Sequence, residues 1–213
     1  MDQKIEIKEI LKLLKKKYAD KMHTELIHKN MMELFVAVLL SPQCSDTQVN
    51  KVTKKLFIDY KTFDDFAKSD IKILTQKLSR LNYYKTKAKY LKTSSKIITE
   101  RFNGAVPKKI NELLELPGVG RKVANVILNE GYGLSEQGIA IDTHCITVSQ
   151  RLGLTKNKTA DKIEIDLMKI IPKKDWKIAS NLLIALGRDT CTARKKFCSE
   201  CVLNRVCQSS EVR

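Results

Sequence analysis

No glycine occurs before Gly104, and the whole 213-residue chain holds only eight glycines and four prolines. Turns that need a positive φ or an abrupt stop depend on those two residues, so most of this chain has few ways to reverse sharply. Helices joined by short polar connections are what such a chain can form. The apolar spacing agrees: Ile5, Ile7, Ile10, Leu11, Leu13 and Leu14 share one face of a helix ending near Ala19. Residues 32–40 are apolar enough for a core helix, and Ser45 with Asp46 begins another that carries Val49, Val52, Leu56 and Phe57. Further helices are expected over 64–68, 71–78, 85–102, 121–130, 143–152, 159–170 and 175–186, with a short one ending at Leu114. Residues 131–138 are the most loop-like stretch and the expected hinge, and a cysteine-rich tail begins after Gly187. No alternating strand pattern, internal repeat or low-complexity linker interrupts the series. The predicted class is all-α.

Charge adds a first functional hint. Forty Lys and Arg stand against 24 Asp and Glu, a net +16, as expected for a nucleic-acid partner. A solvated lysine-rich surface gives the same total, and the basic residues are too evenly spread to name the polyanion. The longest apolar run, 34–40, falls far short of a membrane span. The chain opens on Asp2, Lys4, Glu6, Lys8 and Glu9, unlike a secretory or transit leader. These features predict no membrane partner and a cytoplasmic, nucleoid-associated protein.

Glycine and proline concentrate at Pro117-Gly118-Val119-Gly120, inside LLELPGVGRKVANVIL at 113–128. That segment has helix-hairpin-helix spacing: Leu113 and Leu116 close one helix, and Ala124, Val126 and Ile127 anchor the next. A tight hairpin brings backbone N–H groups up to a DNA phosphate, and the second helix adds its positive end. Such contacts hold DNA without reading its sequence, which makes Gly118, Val119, Gly120 and Arg121 candidates for DNA binding. A plain interhelical turn uses similar residues, but the length of the pattern and the net charge favour DNA. Lys122 falls in one polar sector with Arg121, Asn125 and Asn129 on an otherwise apolar helix. An amine there can attack carbon or merely hold a phosphate, and spacing leaves those two readings level. Asp142, in IAIDTH, is a natural helix N-cap. A carboxylate held there can also stabilise positive charge developing on a sugar C1′ or manage protons.

Cys191, Cys198, Cys201 and Cys207 are spaced C-x6-C-x2-C-x5-C, which points to a metal rather than to disulfides. Tetrahedral zinc is the generic occupant, although only 198 and 201 form a close pair. The first gap reads TARKKF, so Arg194, Lys195 and Lys196 are either offered to phosphates or merely solvated. Cys44 and Cys145 are left over and are expected to be buried thiols.

Taken together, LPGVGRK at 116–122, DTH at 142–144 and the four-cysteine tail resemble the endonuclease III family of the helix-hairpin-helix DNA glycosylase superfamily. The likeness runs from LLSPQCSD near residue 40 to Cys207. It implies a two-lobed all-α fold: a helical barrel over 25–135, a second domain joining 1–24 to 136–213, and a DNA groove between them. It also implies a monomeric, bifunctional DNA N-glycosylase and AP lyase of base excision repair. Such an enzyme removes oxidised pyrimidines from double-stranded DNA and cuts 3′ to the abasic site. The family's nucleophilic lysine falls on Lys122 and its aspartate on Asp142, and DTH brings His144 with it as a DNA contact. The family's [4Fe–4S] cluster falls on Cys191, Cys198, Cys201 and Cys207, in a C-terminal cluster loop. Gln43 matches the glutamine that fills the gap left by a flipped base. The family's second wedge is a leucine in a GLY segment. This chain reads Leu81-Asn82-Tyr83-Tyr84, which puts Tyr83 on the leucine position with Leu81 nearby. Cys145 and Thr147 also depart from the residues common after DTH. Two alternatives stand beside this reading. One is a mismatch-directed glycosylase; adenine-mismatch relatives carry Ser, and some thymine-mismatch relatives Tyr, where Lys122 stands. The other is a helix-hairpin-helix protein that only holds DNA.

Overall fold

A computed structural model describes residues 3–134 and 137–212, with side chains from Ile7 onward. The side chain of Ile5, residues 135 and 136 of the expected hinge, and the domain boundary read between those two residues lie outside this description. The chain divides into two compact units, Glu25–Gly133 and a unit assembled from Met1–Thr24 with Leu134–Arg213.

The central unit is built on α2 (Met31–Leu40), whose residues from Leu34 to Leu40 are all buried. A helix apolar on every side has to be enclosed, and α3 (Asp46–Asp59), α6 (Tyr84–Phe102) and α8 (Arg121–Val126) pack directly on it. Polar residues set the starts. Asn30 accepts from the Glu33 N–H at 2.9 Å, Ser45 caps α3, and Thr62 with Asp65 forms a capping box on α4 (Phe63–Lys68). The short helices α5 (Ile71–Lys77) and α7 (Ile110–Leu114) complete the unit.

One expected helix changes form. The stretch read as continuous over 121–130 is α-helical only to Val126 and continues as a π turn, Ile127–Gly131. The wider turn keeps Ile127, Leu128 and Asn129 buried while seating Gly131 on α2. A Cβ there would lie 2.9 Å from Leu34 Cδ2 and closer still to the Met31 sulfur.

In the terminal unit, α1 (Gln3–Lys17) buries Ile7, Ile10, Leu11 and Leu14 and packs on α10 (Ala160–Ile170) and α11 (Trp176–Asp189). The helix α9 (Thr143–Arg151) packs on α11. Gly187 was expected to mark the end of α11, yet the helix runs through it to Asp189. This glycine serves packing. A Cβ on it would stand 2.8 Å from His144 Cβ, so its absence lets α9 approach closely. Among the described residues no strand forms; an isolated antiparallel bridge joins Cys191 to Lys196. The observed class is the expected all-α one. Among the described residues no helix is long and apolar enough to cross a membrane.

Candidate functional site

In the central unit the hairpin occupies the turn between α7 and α8. Leu113, Leu116 and Val119 point inward, none more than 6% exposed, so Val119 can offer only its backbone to a ligand. Gly118 has φ +83°, and a Cβ on it would lie 2.7 Å from Tyr90 Cδ2 and 3.0 Å from Leu39 Cδ1. Both facts demand glycine. The buried Ser94 hydroxyl donates to the Pro117 carbonyl at 2.8 Å, which fixes the turn to α6. Gly120 differs: its φ is −88°, and a Cβ would meet nothing within 4 Å. The chain itself gives no reason for glycine at 120.

Arg121 and Lys122 follow on the exposed side of α8, while Asn125 and Asn129 are 1% and 3% exposed. The four therefore do not form one open polar stripe. Asn125 is buried within the regular part of α8 and Asn129 within the π turn that follows.

Two further candidates of this unit stand on strained backbone. Gln43 is exposed with φ 60°, and Tyr83 is 71% exposed with φ 56° at the N-cap of α6. Leu81, in contrast, is 2% exposed and belongs to the core, so it cannot act as a wedge in this fold. Cys44 is half-buried rather than fully buried, and its sulfur accepts from Lys87 Nζ at 3.2 Å and from the Asn82 N–H at 3.3 Å.

In the terminal unit Asp142 is the N-cap of α9, accepting from the Cys145 N–H at 2.9 Å. His144 is half-buried against Gly187, and Cys145 is fully buried with its thiol near the Ala140 and Ser180 carbonyls.

The four tail cysteines are free thiols, and all four line one cleft. Among the described residues no three His, Cys, Asp or Glu side chains are gathered as they would be around a single ion. Burial pushes the Cys201 and Cys207 thiols up, and the nearness of other tail cysteines adds to that shift. Each of the two thus lies within electrostatic reach of its neighbours. Arg151, at the end of α9, carries no mark in its own sequence neighbourhood. It lines the same cleft and hydrogen-bonds Cys191, Thr192 and Ala193. In the intervening loop Arg194 and Lys195 are exposed, with Lys195 Nζ 4.8 Å from the Phe197 ring. Lys196 turns inward to pair with Glu211 at 2.5 Å, and that partner raises its pKa. It is therefore a tail contact before it is a phosphate contact.

The family model of the HhH-GPD superfamily base excision DNA repair proteins matches residues 36–173. The chain is 42% identical to endonuclease III of Bacillus subtilis over 89% of its own length and 86% of that protein. It is 36% identical to endonuclease III of Escherichia coli, with 88% of each chain covered. Among solved structures, a trapped endonuclease III–DNA covalent intermediate in an estranged-adenine complex superposes with a TM-score of 0.91 at 39% identity. That match covers 98% of this chain and 97% of the other. A thermostable thymine-DNA glycosylase shares the fold, with a TM-score of 0.83 at 18% identity over 98% of this chain and 96% of that one.

Proposed function

The chain belongs to the HhH-GPD superfamily of base excision DNA repair proteins, and we propose that it is a bifunctional DNA glycosylase and AP lyase that removes oxidised pyrimidines from duplex DNA. One observation carries the reading. Lys122 is exposed directly after a turn whose Gly120 leaves open space for a phosphate, in a chain 39% identical to an endonuclease III captured as a covalent intermediate with DNA.

The hairpin N–H groups from Gly118 to Arg121 hold the DNA backbone, and Gln43 and Tyr83 enter the duplex where the damaged nucleotide leaves it. Lys122 Nζ then attacks C1′. The C1′–N bond breaks, the base departs with the bonding pair and gains a proton, and the amine remains joined to the opened sugar as a Schiff base. Asp142, held by its cap to α9, balances charge and relays protons at C1′. Loss of a C2′ proton breaks the C3′–O bond and cuts the strand 3′ to the lesion.

Cys191, Cys198, Cys201 and Cys207 hold a [4Fe–4S] cluster. Four thiols of one tail lining one cleft are the donor set such a cluster takes. With a cluster on these four thiolates, the loop between Cys191 and Cys198 would be held at both ends, and it would offer Arg194 and Lys195 to phosphates. Residues 25–135 form the barrel domain that carries the hairpin, and 1–24 with 136–213 form the cluster domain. The enzyme works as a monomer on DNA in the cytoplasm.

Borohydride trapping on a duplex carrying one oxidised pyrimidine tests the mechanism. The wild type should form a covalent adduct and Lys122→Ala none. An undiminished adduct from Lys122→Ala removes Lys122 as nucleophile, and no adduct from the wild type removes the lyase step.

A further inference from the structure

Among the described residues, three that are not glycine adopt positive φ: Gln43, Tyr83 and Asn103. Asn103 caps the end of α6, where asparagine is at home. Glutamine and tyrosine have no such ease, and each left-handed residue costs roughly 1–2 kcal/mol that its surroundings must supply. The surroundings of both are one knot of hydrogen bonds between the segments 41–45 and 80–83.

Lys87, one turn into α6, is only 5% exposed. Its Nζ donates to the Pro42 carbonyl at 2.8 Å and to Cys44 Sγ at 3.2 Å, straddling Gln43. A charged group buried so deeply needs acceptors, and α6 could have filled this position with an apolar residue had packing been its only demand. Asn82 reaches across from the other segment. Its N–H donates to Cys44 Sγ at 3.3 Å, and its Nδ2 donates to the Gln43 carbonyl at 2.5 Å. The Gln48 side chain also donates to the Arg80 carbonyl. Both residues held by the knot face outward, Tyr83 at 71% exposure.

We propose that Asn82 and Lys87 are positioning residues that join Gln43 and Tyr83 into one two-pronged element, so that the prongs enter the duplex together and neither works well when the tie is cut. The inference rests on the reading of Gln43 and Tyr83 as the residues that enter DNA. Asn82 also stands where the family's GLY segment has its glycine. Its side-chain bond to the Gln43 carbonyl is therefore one that a glycine cannot make, and it accompanies the larger aromatic prong of this chain.

The test measures unstacking of a fluorescent adenine analogue, 2-aminopurine, placed opposite a reduced abasic site in duplex DNA. In the wild type, Gln43→Ala, Tyr83→Ala and the double variant should lose a similar amount, because the prongs act as one. Asn82→Gly should lower unstacking about fivefold and Lys87→Met roughly tenfold, the worth of a neutral and of a charged hydrogen bond. In the Asn82→Gly background the two prong losses should become independent and multiply. Borohydride trapping on single-stranded DNA with an abasic site, where nothing must be unstacked, should fall far less than trapping on the duplex. Asn82→Gly keeps the test open if Lys87→Met does not fold. If the prong variants both lose unstacking but their losses already multiply in the wild type, and Asn82→Gly changes nothing, the tie is wrong while the reading of the prongs stands. If the prong variants lose nothing, that reading fails and the tie falls with it.

Discussion

Arg151 Nη1 lies 3.2 Å from Cys191 Sγ and donates to the Thr192 carbonyl at 2.8 Å. The same guanidinium reaches the Ala193 carbonyl. The last residue of α9 thus grips the tail beside its first cysteine. A planar fork of donors suits this task and a lysine does not. Arg151→Ala should loosen the tail by roughly 2–4 kcal/mol, a few net hydrogen bonds, and Arg151→Lys should not restore it. Limited proteolysis across 191–207 reads the change, and equal cleavage of variant and wild type would sink the clamp.

The two hairpin glycines should separate folding from binding. Gly118→Ala forces a side chain into a left-handed backbone and against Tyr90, at a cost of about 1–3 kcal/mol in thermal unfolding. Gly120→Ala meets nothing in the protein, so its stability should stay within about 0.5 kcal/mol of wild type. Its affinity for duplex DNA should nevertheless fall roughly tenfold, the worth of one charge-assisted backbone bond. Wild-type affinity in Gly120→Ala would mean that the space before it is not where a phosphate sits.

The basic loop makes a similar split among neighbours. Arg194→Ala and Lys195→Ala should each make the slope of log affinity against log salt shallower by about one unit. Lys196→Met should leave the slope unchanged, because that amine is already paired with Glu211. A slope altered by Lys196→Met alone would reverse the assignment.

Tyr18 and Asp189 set a pH window for the terminal unit. The Tyr18 hydroxyl donates to Asp189 at 2.8 Å. Hydrogen bonds from Thr190 and Tyr18 hold Asp189 below the usual carboxylate range, while burial pushes Tyr18 from 10.0 up to about 12. Folding favours the Asp189 anion, so that contribution is present above about pH 4 and lost as pH falls through the lower folded value. Folding favours neutral Tyr18, so that contribution is present below about pH 10 and lost as pH rises towards the folded value. The melting temperature should therefore be level between those limits and fall outside them, with both falls shallower in Tyr18→Phe. Parallel curves for the two proteins would contradict the linkage.

The helices were legible because apolar spacing and caps act over a few residues, as at Ser45. The place of Lys122 after the hairpin and the cap made by Asp142 were legible because each follows or makes a local turn, while the roles expected of them came from the family resemblance. What escaped depends on distant segments. Arg151 and Lys87 each bond partners more than 35 residues away, and nothing in their own helices marks them. Leu81 stands two residues from the expected wedge position in the family match, and only its place in the core removes it. Lys196 is indistinguishable from Lys195 until Glu211 is seen beside it. The π turn after Val126 has no residue that announces it, since it answers to the close seat of Gly131 on α2.

The terminal unit draws on both flanks of the central one, and this has a consequence for the order of synthesis. A ribosome makes α1 well before α9, α10 and α11, so Ile7, Ile10, Leu11 and Leu14 wait without their packing partners while the whole central unit emerges. The central unit has its own core and can fold as it appears. The helix α1 is therefore made before the central unit yet buried after it, and the nascent chain carries an exposed apolar stripe until α9, α10 and α11 have emerged.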